Sequence, residues 1–171
     1  MSTTPSISRK ISHYVLVRVL VDKAYSTRLF TTAVERFDAT DRDKNHAKEI
    51  IFGSLRQIIY IDFLLQQLIS RGKNRVKPAI MSAMRIGCYE ILFMRTPNAI
   101  AVNEAVSLCA KFNKHLRGFV NGVLRKVVKL SDSGELPDPI QVLNDPITGV
   151  AIKHSVPLWL FERIVAISGV D

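Results

Sequence analysis

Clustered cations are the residues of this chain with the most evident chemistry. Residues 71–130 hold twelve lysines and arginines against two acids, Glu90 and Glu104, so this stretch accounts for the net charge of +9. A basic excess confined to part of a folded chain is typical of proteins that bind a polyanion, although a merely solubilising surface is the simpler alternative. We therefore predict contacts with nucleic-acid phosphates. The predicted contact residues are Arg9, Lys10, His13, Lys114, Arg117, Arg125, Lys126 and Lys129.

The spacing of these residues favours a shared surface. Arg125 and Lys129 are four residues apart, which places them on one face of a helix. Phe112 and Phe119 flank the basic loop, and unpaired RNA bases stack on exposed aromatic rings. We interpret Phe119 as a core residue, whereas Phe112 fits either role. The basic run at residues 71–77 is a second RNA contact or only an exposed loop.

The residues needed for catalysis or metal binding are missing from the sequence. The eight glycines are scattered singly, so they form no phosphate-binding loop, and no cysteines and histidines have metal-site spacing. Cys88 and Cys109 lie in apolar helical surroundings, which predicts two buried, inert thiols in a reducing, cytoplasmic setting. We expect the chain to be no enzyme by itself and to bind no metal. The remaining histidines are expected at surface or packing positions: His46, His115 and His154.

Polar residues within apolar stretches are expected to support the architecture, with direct RNA contact as the alternative for Asn103 and Asn121. Asn103 and Asn121 stand between valines, where a buried amide must be hydrogen-bonded. Glu90 and Glu104 lie on separate predicted helices, and nothing in the sequence indicates that they share a site. We expect each to pair with an arginine of another helix. The candidate arginines are Arg56, Arg85 and Arg125.

Helical periodicity dominates the chain. Ile7, Ile11, Val15 and Val19 recur every fourth residue, with the basic residues of this segment mainly off the apolar stripe. No alternating strand pattern occurs, so the fold class is all-α, a bundle of about seven or eight helices. No apolar run is long enough to span a membrane. Further helices are predicted over residues 27–37, 42–69, 78–94, 101–112, 119–130 and 155–167.

Several residues mark the predicted helix boundaries. Asp41 suits the N-cap of the third helix, and Gly53 with its neighbouring serine is predicted to kink or divide that helix. Gly87 is expected to allow close helix packing, and Gly118 to cap a helix. The prolines and acids of residues 131–150 predict a linker or an irregular wrap.

Three segments carry a resemblance to a known family. They are RIGCYEILFMR at residues 85–95, AVNEAV at 101–106 and GFVNGVLR at 118–125, supported by GSLR at 53–56. In order and interval they resemble the NusB family of small helical RNA-binding domains across roughly residues 9–130. They are most similar to the N-terminal domain of the RsmB (Sun/Fmu) cytosine-5 methyltransferases of ribosomal RNA. The resemblance implies a NusB-like bundle in which residues 1–130 form the RNA-binding domain.

The same resemblance implies a function. Residues 151–171 are similar to the segment that leads into the methyltransferase domain of those enzymes, and that domain is not part of this chain. The implied role is to bind and position small-subunit ribosomal RNA, with S-adenosylmethionine used only by the missing domain. One alternative is a stand-alone antitermination factor that binds RNA with a ribosomal protein. Another is a helical scaffold that binds protein through apolar grooves.

Overall fold

The structure, a computed structural model, describes residues 4–69 and 76–168, and these ranges fold into ten α-helices without a strand. The predicted all-α bundle is therefore confirmed. A 3₁₀ turn, Lys114–Leu116, precedes the seventh α-helix. The helices are α1 (Ile7–Asp22), α2 (Ser26–Arg36), α3 (Asp41–Arg56), α4 (Ile58–Leu68), α5 (Pro78–Phe93), α6 (Asn98–Ala110), α7 (Arg117–Ser133), α8 (Pro139–Leu143), α9 (Pro146–Lys153) and α10 (Leu158–Ser168).

Helix α5 forms the centre of the bundle. Pro78 occupies its first turn, where the missing backbone N–H costs no hydrogen bond, and ten of its residues are buried. It contacts α1, α3, α4, α6 and α7. At Gly87 an added Cβ would lie 2.6 Å from Leu124 Cδ1 and 3.1 Å from Ala105 Cβ. The predicted close approach at this glycine is confirmed, and it brings α6 and α7 against α5.

Helix α1 is enclosed by α2, α3, α5 and α6. Ile11 and Val15 of the predicted apolar stripe are fully buried. The expectation that the basic residues lie off the buried surface is wrong for Arg9 and His13, because the N-terminal half of α1 has neighbours on more than one side. A single apolar stripe therefore underestimates how much of this helix is buried.

Helix α3 differs from the prediction in its N-cap and in its continuity at Gly53. Its N-cap is Thr40, whose hydroxyl accepts from the Asp43 backbone N–H in a capping box, and not Asp41. The helix continues through Gly53 without division. An added Cβ at Gly53 would overlap the ring of Tyr89, so this glycine provides space for α5.

Residues 131–150 are more regular than the predicted linker or irregular wrap, because they include the end of α7, all of α8 and part of α9. The side chain of Asp138 accepts from the Ile140 backbone N–H at 2.9 Å. Asp145 caps α9 in the same way, and a proline opens each of these two helices. Two of the acids and two of the prolines that indicated irregularity are thus start signals of two short helices.

Helix α10 packs against α9 and has no buried residue. Its prediction over residues 155–167 is confirmed with a start three residues later. Trp159, the only tryptophan of the chain, is 63% exposed, and Ile167 is 85% exposed. The end of the described chain therefore presents apolar side chains to solvent.

The two cysteines are free and buried, as predicted. Burial raises the pKa of the Cys88 thiol to about 12, and burial also raises the pKa of Cys109. Both thiols are therefore protonated and unreactive at neutral pH. Within the described ranges, no helix combines the length and apolarity needed to cross a bilayer. Among the same residues, no three metal-ligating side chains come together.

Candidate nucleic-acid interface

Helix α7 has one buried face and one basic face. Its buried residues recur every three or four positions and pack against the core around α5. The predicted contact residues of this helix lie exposed on its other sides, and none forms an ion pair with an acid in the described parts of the chain. These cations are free to contact a polyanion. They are Arg117, Arg125, Lys126 and Lys129.

The loop before α7 extends this basic surface. The Asn113 side chain accepts from the His115 backbone N–H at 3.0 Å, which fixes the start of the 3₁₀ turn. Lys114 and His115 are exposed on this turn, while Phe119 packs against the core as expected. Lys111, at the end of α6, is also exposed. It was not among the predicted contact residues, although its place in the same basic loop was a usable signal.

A groove of about 260 Å³ lies between α6 and α7 and is lined by Arg125 and Asn103. Asn103 is exposed, so the expectation of a buried, bonded amide is wrong there. Asn121 is half-buried, and no described residue hydrogen-bonds to its side chain. The groove therefore offers a cation and an amide side by side.

Two glycines lie exposed on α7 among its basic residues. An added Cβ at Gly118 or Gly122 would meet no atom within 4 Å. Gly118 is the second residue of α7 and not the predicted cap. Glycine in a helix interior is less favourable than alanine by roughly 0.5–1 kcal/mol, and here no tight packing requires it. The backbone is accessible between the basic residues.

Arg9 lies in a buried ion pair. Its Nε and Nη2 donate to the two carboxylate oxygens of Glu90 at 2.9 and 2.6 Å. Its Nη1 lies 3.7 Å from Glu104 Oε1. Glu90 is fully buried, and a buried carboxylate needs a cation and hydrogen bonds. The assignment of Arg9 as a phosphate contact is therefore corrected, because its charge is already neutralised inside the bundle.

The two acids of the basic stretch thus share one partner, contrary to the expectation of separate pairs. Glu104 Oε2 also accepts from the Ser6 backbone N–H at 2.9 Å. Of the three candidate arginines, Arg85 instead donates to Asp62 at 2.8 and 2.9 Å. The other two candidates, Arg56 and Arg125, are exposed.

His13 is also corrected as a cationic contact. It is buried, and its Nε2–H donates to the Ala79 carbonyl at 2.7 Å. Burial lowers the pKa of His13, and the positive charge of Lys111 adds to the effect, so the ring is neutral at pH 7. Lys10, about one turn before His13 on α1, is half-buried and lies at the surface. In the second predicted basic run, residues 71–75 lie outside the described residues, and Lys77 is exposed.

The described residues thus form a small all-α bundle in which one helix, α7, carries exposed cations without acidic partners. The sequence pattern of the NusB family matches residues 6–129, and the chain belongs to this family. The resemblance found in the three sequence segments is therefore confirmed.

Several relatives and solved structures are similar to the chain. The probable ribosomal RNA small subunit methyltransferase B of Bacillus subtilis is 28% identical over 158 residues, covering 91% of this chain and 34% of that protein. The transcription antitermination protein NusB of Ruminiclostridium cellulolyticum is 32% identical over 133 residues, covering 76% of this chain and 89% of that protein. A crystal structure of antitermination factors NusB and NusE with double-stranded RNA matches with a TM-score of 0.66 and 25% identity, covering 72% of this chain and 94% of that chain. The chain spans about a third of the length of the first curated relatives that it matches.

Proposed function

We propose that this chain is the RNA-binding, substrate-positioning N-terminal domain of an S-adenosylmethionine-dependent methyltransferase for cytosine in ribosomal RNA. The exposed, unpaired cations of α7 and the preceding turn are the observation that carries RNA binding. Flexible cations held on a rigid helix neutralise successive phosphates and position a strand without reading its sequence. The proposed contact set, revised by the structure, is Lys10, Lys111, Lys114, Arg117, Arg125, Lys126 and Lys129.

The extent of the similarity favours a methyltransferase over a stand-alone factor. The family pattern ends at residue 129, whereas the similarity to the methyltransferase of Bacillus subtilis covers 91% of the chain. The similarity to the NusB protein covers 76%. Helices α8–α10 lie beyond the family pattern, and the exposed apolar residues of α10 are typical of a surface that meets another protein segment.

In this proposal each part of the chain has a separate task. Residues 1–130 hold the RNA, residues 131–150 connect, and residues 151–171 begin the segment that leads to a catalytic domain. That following domain, and not this chain, uses S-adenosylmethionine and makes the new bond. The target is small-subunit ribosomal RNA, and the setting is the cytoplasm.

A second candidate is a NusB-type antitermination factor that binds RNA together with a ribosomal protein. The 32% identity to a NusB protein across most of that protein's length favours it. The similarity to the NusB–NusE–RNA structure adds to this. The coding sequence beyond Asp171 separates the two candidates, because the first requires a methyltransferase domain there. RNA binding that occurs only when a NusE-type protein is present would favour the second.

RNA binding itself is tested by titrating labelled fragments of small-subunit ribosomal RNA between about 50 and 200 mM salt. Seven phosphate contacts on a single strand, one for each cation of the contact set, predict a log–log slope of roughly −5. Arg125→Ala with Lys126→Ala should make the slope shallower by roughly 1.4, because two counterions fewer are released. The matched control, Arg28→Ala with Arg163→Ala, removes two exposed cations from α2 and α10 and should leave the slope unchanged. A flat slope for the unmodified chain, or equal effects of the two pairs, would overturn the proposal.

A further inference from the structure

A cleft beside the basic surface of α7 has not been assigned a role. It lies between α1, α6 and the end of α2, and its volume is about 220 Å³. Val17, Phe37 and Leu108 contribute apolar surface to its wall. Pockets that enclose drug-sized ligands measure roughly 300–1,000 Å³, so this cleft suits a smaller, flat group.

Phe112 forms one side of the cleft. It directly follows α6, is 57% exposed, and its ring contacts the ring of His13 with the centroids 4.8 Å apart and the planes at 32°. His13 is anchored by its hydrogen bond to the Ala79 carbonyl. The contact therefore supports Phe112 on one side, while more than half of the residue is accessible. A supported, accessible phenyl ring is the usual platform for an unpaired base.

The lining of the cleft also includes cations. Lys10, Arg18 and Lys111 line it. Arg18 is bound to Asp22 at 2.6 Å, whereas no described acid pairs with the two lysines. Desolvation lowers the pKa of Lys111, and repulsion from the positive charge of Lys10 lowers it further. An anion between them would relieve this repulsion.

We propose that this cleft binds one unpaired base of an RNA strand, stacked on Phe112, with the adjoining phosphate between Lys10 and Lys111. The proposal rests on the proposed RNA-binding function, and it adds a site that holds a base where α7 holds only the backbone. The apolar wall matches the faces of a base, and the lysines match the charge of its phosphate. Stacking tolerates any base, so the site positions a flipped-out or single-stranded nucleotide without a strict sequence requirement.

The test compares two single-stranded 12-mers of equal charge, one oligouridine and one with abasic sites throughout. The unmodified chain should bind oligouridine roughly tenfold more tightly, because only that strand can stack. Phe112→Ala should abolish this preference and leave the affinity for the abasic strand unchanged. Phe112→Tyr keeps the ring and should retain the preference, whereas Phe112→Leu keeps apolar volume without a ring and should lose it. Since Phe112 is exposed, none of these changes should unfold the chain.

The outcomes distinguish this proposal from the proposed function. If Phe112→Ala binds both strands as the unmodified chain does, the base site is refuted while RNA binding by α7 stands. If it weakens both strands equally, Phe112 does not recognise a base, and the proposal fails. If Phe112→Ala keeps full RNA affinity but loses affinity for a NusE-type ribosomal protein, the cleft is a protein-docking site. If the unmodified chain binds neither strand in dilute buffer, the proposed function fails together with the base site.

Discussion

The sequence predicts both Arg9 and Arg125 as contacts for nucleic-acid phosphates, and the structure places them in opposite environments. Arg9 lies on α1, which four other helices enclose, and it is bound to a fully buried glutamate. Arg125 lies on α7, whose apolar side packs inward and whose basic side faces solvent. The role of a cation in this bundle thus depends on how many helices surround its own helix.

The comparison also explains why α7 retains its charge. Both acids of the basic stretch, Glu90 and Glu104, are directed at Arg9, which lies outside that stretch. The cations of α7 therefore have no acid within the stretch to neutralise them. A count of charges along the sequence shows the excess, but only the three-dimensional pairing shows which cations remain available.

The largest expected effect comes from removing the acid from the buried pair. Glu90→Ala leaves Arg9 buried without its main partner, and we expect the free energy of unfolding to fall by about 3–5 kcal/mol. Urea denaturation followed by circular dichroism measures this change. The exposed Glu35→Ala on α2 is the matched control and should change stability by less than about 0.5 kcal/mol. Arg9→Leu combined with Glu90→Leu should recover most of the loss, and failure to do so would contradict a purely electrostatic origin.

Two glycine substitutions compare the buried and the exposed side of α7, with smaller expected changes in stability. Gly87→Ala places a Cβ against Leu124 on the buried side, which should destabilise the chain by about 1–3 kcal/mol. Gly122→Ala adds the same atom on the exposed side, where it meets nothing, and should stabilise the helix by about 0.5–1 kcal/mol. Thermal denaturation of both variants gives the two signs. Equal signs would show that the two sides of α7 do not differ as described.

A pH series gives the finest test of the buried part of α1. The pKa of His13 is lowered from its ordinary value of 6.5, mainly by burial, and that of His46 is lowered for the same main reason. Below pH 6.5 the unfolded chain therefore binds more protons than the folded chain, and the free energy of unfolding falls as the pH decreases. His13→Gln should weaken this dependence, while His115→Gln at an exposed site should not. The urea midpoint of each variant is measured at pH 7.5 and 5.5. The same change of midpoint in His13→Gln as in the unmodified chain would contradict this account.

Local signals sufficed for much of the fold. Pro78 marked the start of α5, and four-residue spacing marked the buried stripe of α1, because both depend on neighbours within one or two turns. Helices α8 and α9 escaped prediction because they are short and hold together by mutual packing. Gly149, for example, lies so close to Ile140 that an added Cβ would be 2.5 Å from its Cα.

In the candidate site too, local patterns predict some features and miss those that depend on residues far apart in the sequence. The cations of α7 were predictable, since periodicity assigns them to the side opposite the valines. The pairing of Arg9 with Glu90 joins residues 81 positions apart, which no local pattern records. One signal was available nevertheless: a carboxylate among the apolar residues of α5 requires a buried cation, and Arg9 lies beside the apolar stripe of α1.

The position of Trp159 has a practical consequence. As the sole indole of the chain, exposed on a helix that packs against the neighbouring α9, it reports on α10 and not on the bundle core. Intrinsic fluorescence would therefore register fraying of α10 while the rest of the chain is still folded. The emission of Trp159 should also report anything that comes to cover α10, because it shifts to the blue when water leaves the ring.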